Sequence, residues 1–331
     1  MIERRVAAIE RRCSTGLDSD ALRTDVLRLL RDVVPVDAAF FATVDPATML
    51  FTSFVSEEPL VEAAARFLDN EYGADDVNKF VTLAASADPV SSLDRATSGD
   101  RGASDRYASV MAPIGLGDEL RAALVVGGRC WGVMCLHRED VQSGFTEREV
   151  GLVRRLVPVL ADGLRRTVLA QAALTSDGQE GPGIVVLSAD HEVVSSNAAG
   201  ARWVDEIPVA IQTAAARARR GESVTARVRT SGGRWHTVHA SALDGQPGGQ
   251  TAVVIDQASP EQLTSLFLDA HGLTPAQTRV AALVLRGFST RQIVNELQIS
   301  SYTVQEHLRA VFDKFGIGSR RELVAALLSP R

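Results

Sequence analysis

Residues 273–328 read LTPAQTRVAALVLRGFSTRQIVNELQISSYTVQEHLRAVFDKFGIGSRRELVAALL. The start and stop signals in this stretch predict four short helices. Thr274-Pro275-Ala276-Gln277 opens the first, with a Thr N-cap, Pro at the first helical position and Gln three residues after the cap. Val280, Leu283 and Val284 form its apolar face, and Gly287 ends it. Ser289-Thr290-Arg291-Gln292 is a second capping box, followed by Ile293, Val294 and Leu297, with a turn at Gln298-Ile299-Ser300. The third helix carries Val304, Leu308, Val311, Phe312 and Phe315 on one stripe and stops at Gly316. Ser319-Arg320-Arg321-Glu322 caps a fourth, with Leu323, Val324, Leu327 and Leu328 on its buried side. This spacing is that of a DNA-binding helix-turn-helix.

If Val304, Leu308, Val311 and Phe315 face inward, the outer face of the third helix holds Tyr302, Gln305, Glu306, Arg309 and Asp313. In a helix-turn-helix the early turns of the second motif helix enter the major groove. Gln can bridge N6 and N7 of adenine, Arg can bridge O6 and N7 of guanine, and Glu can accept from N4 of cytosine. Gln305, Glu306 and Arg309 are therefore the expected base readers. Arg291, Ser301, Tyr302, Thr303 and Arg320, at or near helix starts, are the expected DNA-backbone contacts. A mixed polar face is ordinarily a solvated one, but the four-helix spacing and the charge both favour DNA. From His271 to Arg331 there are eight Lys/Arg against four Asp/Glu, or +4, while the remaining chain has 27 basic and 37 acidic residues, or −10.

Leu273-Thr274, Gly287-Phe288-Ser289, Ile293, Leu297-Gln298-Ile299-Ser300, Thr303-Val304, His307-Leu308, Lys314-Phe315-Gly316 and Ser319-Arg320 together resemble the LuxR/FixJ-type C-terminal regulator domain. The resemblance implies a compact four-helix domain that binds DNA as a dimer, with the third helix reading the major groove and the last helix pairing subunits. Matched position by position, it places Gln305, Glu306 and Arg309 among the base readers and Thr303 and Arg320 at the backbone. The chain departs from that family's pattern in three places. Ala276-Gln277 stands where the family has Arg-Glu, so an internal ion pair is expected to be missing. Gln305 stands where Lys is common, and Val294 where Ala is usual at a close helix crossing. His307 is expected to be a packing position.

At 331 residues the chain has room for two or three domains. Its 45% apolar and 23% charged content is that of an ordinary globular protein. The N-terminus Met1-Ile2-Glu3-Arg4-Arg5 lacks the apolar core of a signal peptide, and no apolar run reaches membrane-spanning length. Cys130 and Cys135 have opposite parity along one strand and are expected to be packed thiols that neither pair nor share a metal. With Cys13, they suggest a reducing cytoplasm.

Residues 1–172 read as an α+β domain. Leu22, Val26, Leu29, Leu30 and Val33 make a helical stripe, followed by strands at 38–44 and 50–55 and helices near 60–72 and 76–86. A polar stretch at 91–105 reads as a long loop. Strands at 119–126 and 129–137 join through Gly127-Gly128 as a hairpin. Thr146-Glu147-Arg148-Glu149 caps a long helix carrying Leu152, Leu156, Leu160 and Leu164, with a kink expected at Pro158. This element order, with Trp131-Gly132-Val133 and Phe145-Thr146 at its end, is similar to a GAF domain. That resemblance implies dimerisation or a small-molecule pocket, for which Arg106, Tyr107, Arg121 and Trp131 are the candidate residues.

Residues 176–183 read as a linker, and 181–257 as a small α+β piece whose order of hairpin, two helices and three strands looks like a PAS domain. Pro260–Ala270 is expected to be a connecting helix (259–270) leading into the all-α segment 271–331. The chain shows no nucleophile–base pair, phosphate loop, metal-ligand spacing or paired catalytic carboxylates, so no enzyme activity, cofactor or metal site is expected. The first half also lacks the parallel βα alternation of a phosphorylated receiver. The expected protein is a cytoplasmic, dimeric regulator of transcription that binds double-stranded DNA. RNA polymerase and an unidentified small molecule are further expected partners, and no membrane is involved. The alternative is a non-catalytic protein-interaction module with a degenerate helix-turn-helix.

Overall fold

In a computed structural model, residues 2–15, 18–139, 144–171, 181–243 and 249–328 are described. They divide into two compact units, one of Met1–Thr167 with Gly178–Gln257, the other of Val168–Asp177 with Ala258–Arg331.

The first unit begins with helices α1 (Ile2–Ser14) and α2 (Ser19–Arg31). Asp18 caps α2 by accepting from the N–H groups of Asp20 and Ala21. Strands β1 (Ala38–Val44) and β2 (Phe51–Ser56) follow, then α3 (Ala64–Gly73) and α4 (Phe80–Ala85). The polar stretch expected to be a long loop is instead structured. Val90–Ser92 forms β3 at the sheet edge, Leu93–Ala96 forms the one-turn helix α5, and a π-helical turn spans Tyr107–Met111. Ser92 is the reason: its hydroxyl caps α5 by accepting from Arg95 N–H, so polarity here marks a cap rather than a loop. Strands β4 (Leu116–Val126) and β5 (Arg129–Glu139) pair through Gly127 and Gly128, both at positive φ, as a two-residue turn of matching twist requires. Helix α6 (Glu147–Gln171) runs through Pro158. All pairings are antiparallel, in the order β2-β1-β5-β4-β3.

Helix α6 rests directly on this sheet. A Cβ on Gly132 would lie 2.4 Å from Leu164 Cδ1 and 2.8 Å from the Ala42 carbonyl oxygen. Gly132→Ala should therefore overpack the core and cost about 1–3 kcal/mol. Chemical denaturation checks this, and an unchanged midpoint would contradict the close packing.

The same unit continues with β6 (Gly183–Leu187), β7 (Val193–Ser196), α7 (Ala198–Glu206), α8 (Pro208–Ala218), β8 (Val224–Arg229), β9 (Trp235–Ala242) and β10 (Thr251–Gln257). Asn197 caps α7 by accepting from Gly200 N–H, as its position predicts. The second sheet has the order β7-β6-β10-β9-β8, the same positional order as the first. Its core is continuous with that of the first sheet, because α8 packs on β2 and α3. A buried ion pair crosses the seam. Asp45 accepts from Arg227 Nη2 at 2.6 Å, from Nε at 2.9 Å and from the backbone N–H at 2.8 Å. Nearby, Asp69 pairs with Arg219 at 3.1 Å and with His191 at 2.9 Å. The segment anticipated as 181–257 thus shares one unit with the segment before it. Residues 176–180 of the linker anticipated at 176–183 lie outside the described residues.

The second unit contains α9 (Pro260–Ala270), α10 (Pro275–Leu285), α11 (Thr290–Leu297), α12 (Ser301–Phe315) and α13 (Arg320–Leu328). No helix among the described residues is long and apolar enough to cross a membrane.

Candidate nucleic-acid interface and a buried polar network

Local hydrogen bonds set the helix boundaries around α12. Thr274 with Gln277 and Ser289 with Gln292 form two of the three expected capping boxes, and Ser259 with Gln262 forms another before α9. At α13 the pattern is altered. Ser319 Oγ accepts from Glu322 N–H at 3.2 Å, but the Glu322 carboxylate reaches back to Gly318 N–H at 2.9 Å. Gln298 ends α11 in the left-handed conformation at φ 54, which makes the turn that swings the chain into α12. Ser300 caps α12 by accepting from Thr303 N–H at 3.0 Å.

Val304, Leu308 and Val311 are buried, and their burial fixes the rotation of α12. Phe312 and Phe315 are half-buried, and Leu328 has no described side-chain environment. Gln305, Glu306, Arg309 and Asp313 are exposed, as is Ser301, and Tyr302 is 75% exposed. The structure therefore brings the three expected base readers to the outer face of one helix, Gln305 and Glu306 side by side and Arg309 three to four residues on. Arg291 is exposed at the start of α11.

Two expected backbone contacts have internal roles. Arg320 donates from Nη1 to the Phe288 carbonyl at 3.1 Å and from Nη2 to Thr290 Oγ1 at 2.9 Å, tying α13 to the start of α11. The Thr303 hydroxyl sits 2.8 Å from Ser300 Oγ within the cap. Gln277, in place of the family's acid, accepts from Lys314 Nζ at 2.8 Å, and Lys314 also donates to the Gly272 carbonyl at 2.6 Å. Gln277 thus makes a charge-assisted hydrogen bond in this chain. His307 is half-buried. The His271 ring stacks on Phe315 with centroids 3.7 Å apart, which joins the end of α9 to the end of α12.

The first unit holds a different constellation. Arg106, Glu119 and Arg121 are fully buried. Arg106 Nε donates to Glu119 Oε2 at 2.8 Å, and Arg121 Nη2 donates to Glu71 Oε2 at 2.6 Å. The Arg121 guanidinium also lies 3.8 Å from the centroid of the Phe80 ring. Burial works to raise the Glu119 pKa, but the two guanidiniums outweigh it and hold the carboxyl down at about 2. Burial lowers His137 to about 4, so the imidazole is neutral near pH 7. Burial also pushes the Cys135 thiol well above its usual range.

Beside this network lies an apolar cavity of about 20 Å³, room for roughly one water. Its wall includes Phe40, Phe54, Phe67, Leu68, Met111 and His137. None of the four anticipated pocket residues lines it. Arg106 and Arg121 are held in ion pairs, Tyr107 is half-buried on the π-helical turn, and Trp131 is buried where β4 and β5 slip register. Sequence reasoning passes over Glu119 and His137 and reads Cys135 only as a packed thiol. The available signal was Glu119 and Arg121 at same-face positions inside a strand that runs into the apolar stretch 122–126.

Residues 271–327 match the family model described as bacterial regulatory proteins, luxR family, and residues 18–164 match the GAF domain model. The HTH-type transcriptional regulator MalT of Yersinia pestis is 36% identical over 52 residues, which is 16% of this chain and 6% of that protein. The transcriptional regulatory protein DesR of Bacillus subtilis is 32% identical over 66 residues, 20% of this chain and 33% of that protein. The chain thus spans a third or less of these relatives' length. Among solved structures, the Vibrio cholerae VqmA–ligand–DNA complex is 17% identical, covers 45% of this chain and 82% of its own, and has a TM-score of 0.21.

Proposed function

We propose that this protein is a sequence-specific regulator of transcription that reads duplex DNA with α12. The observation carrying this reading is the division of that helix. Val304, Leu308 and Val311 are locked inward, while Gln305, Glu306 and Arg309 stand exposed next to a capped helix start. Such a helix can lay its first turns in the major groove and present side chains that pair with base edges. Arg291, Ser301, Tyr302, Thr303 and Arg320 surround that face as phosphate contacts, with Arg320 also bracing α11. The basic excess of 271–331 within an acidic chain, and the names of the relatives, support the same reading. One such domain buries little surface on DNA, so the working form is a homodimer on paired half-sites in the cytoplasm, with RNA polymerase as the downstream partner. Residues 1–172 and the PAS-like 181–257 act as the signal-receiving part, with 259–270 as the connection to the DNA-binding segment. The account requires no catalytic step.

Arg309→Ala is expected to weaken binding to the preferred site by about 1–3 kcal/mol and to relax the choice at one base pair. A mobility-shift titration against single-base site variants measures both. The acidic Glu306 and Asp313 on the same face favour a second reading, in which the motif docks protein. Salt-independent retention of a protein partner, with no duplex bound at low salt, would select it.

A further inference from the structure

Strands β4 and β5 bring three different ligand types to one point inside the first unit. Glu119 and His137 oppose each other directly in the antiparallel register, and Cys135 lies two residues before His137 on the same face. A Glu119 carboxylate oxygen, Cys135 Sγ and a His137 ring nitrogen all lie within 4.8 Å of one another. All three residues are at least 98% buried. Arg106 holds Glu119 Oε2, and Oε1 lies 3.9 Å from His137 Nε2 and 3.7 Å from Arg121 Nε. Glu119 Oε1 and His137 Nδ1 have no hydrogen-bond partner. An orphan carboxylate oxygen sealed from water is costly, and a cation bound between Glu119 Oε1 and the ring nitrogen that faces it satisfies that oxygen.

We propose that Glu119, Cys135 and His137 form a binding site for a borderline-soft divalent transition ion of the Zn²⁺ class. Thiolate, imidazole and carboxylate are the ligand types that such an ion takes in tetrahedral coordination, whereas Mg²⁺ and Ca²⁺ select oxygen alone. Bonds of about 2.0–2.3 Å place tetrahedral ligand atoms roughly 3.5 Å apart, so the three groups need to close by about 1 Å. On binding, the Cys135 thiol loses its proton to solvent and the sulfur bonds the ion, while His137 binds as the neutral ring. Arg106 then orients the ligating carboxylate from the outer shell. The nearby guanidiniums do not make the pocket repel a cation outright, because Glu71 is 2.6 Å from Arg121 and Asp76 is 3.8 Å from Arg106. His137 also lines the apolar cavity, so the ion sits at that cavity's wall. This inference does not depend on the DNA-binding reading.

The test uses the full chain produced in medium supplemented with Zn²⁺ or with Co²⁺ as a spectroscopic probe. The expected result is about one ion per chain by elemental analysis, with tetrahedral d–d bands and a near-ultraviolet thiolate-to-cobalt charge-transfer band. Cys135→Ser should abolish that band, while the Cys13→Ser/Cys130→Ser double variant keeps it. Glu119→Gln should weaken the ion's affinity at least about tenfold. Should Cys135→Ser fail to fold, the double variant alone assigns the band. A wild-type chain that takes up neither ion overturns the proposal, as does a charge-transfer band lost in the double variant.

Discussion

Asp45→Ala is expected to destabilise the first unit by about 3–5 kcal/mol, the cost of removing one partner of a buried ion pair. Arg227 directs three N–H groups at that carboxylate, two from the guanidinium and one from the backbone, at 2.6 to 2.9 Å. Truncation leaves the 7%-exposed Arg227 side chain without that carboxylate at the seam. Asp45 also accepts from Ala47 N–H at 2.9 Å, so the β1–β2 turn loosens with it. Chemical denaturation of the full chain gives the loss directly. Hydrogen exchange should show β8 losing protection beyond the loss in β5, because the pair ties the second sheet to the first. A loss below about 1 kcal/mol, the range of an exposed pair, would mean that the two sheets do not share a seam.

Leu308→Ala is the second large effect, at about 2–5 kcal/mol. Leu308 is 2% exposed and lies between Val304 and Val311 on the inner stripe of α12. The cavity left there frees the rotation that holds Gln305 and Arg309 outward, so DNA affinity should fall even though Leu308 itself touches no base. Amide protection should drop across 301–315 and stay unchanged across 129–139, since the helix belongs to a different compact unit. Equal loss in both segments would contradict that division.

The DNA-binding segment was legible because its signals are local. A cap, a Pro at the first turn, a Gly at the end and a stripe repeating every three to four residues each act within one helix, and the observed boundaries of α9 to α13 follow them closely. Strands β1 and β5 are legible from apolar runs between turn residues, and β9 from the glycine-rich turns around it. Polarity misled at 91–105, where Ser92 is a cap rather than part of a loop. The four pocket candidates were chosen by chemical type, but Arg106 and Arg121 find carboxylates 13 and 50 residues away, beyond any local pattern. Asp45 and Arg227 are 182 residues apart, so the seam between the sheets could not be read from either segment alone.

The account depends most on the outward face of α12 meeting base edges, and one measurement tests this directly. A preferred duplex is selected from a random pool with the wild-type chain, and Gln305→Ala, Glu306→Ala and Arg309→Ala are each titrated against every single-base variant of it. The account predicts that each substitution flattens discrimination at its own base pair, with neighbouring positions read as before. Three variants that select the wild-type site with unchanged affinity at every position would contradict it.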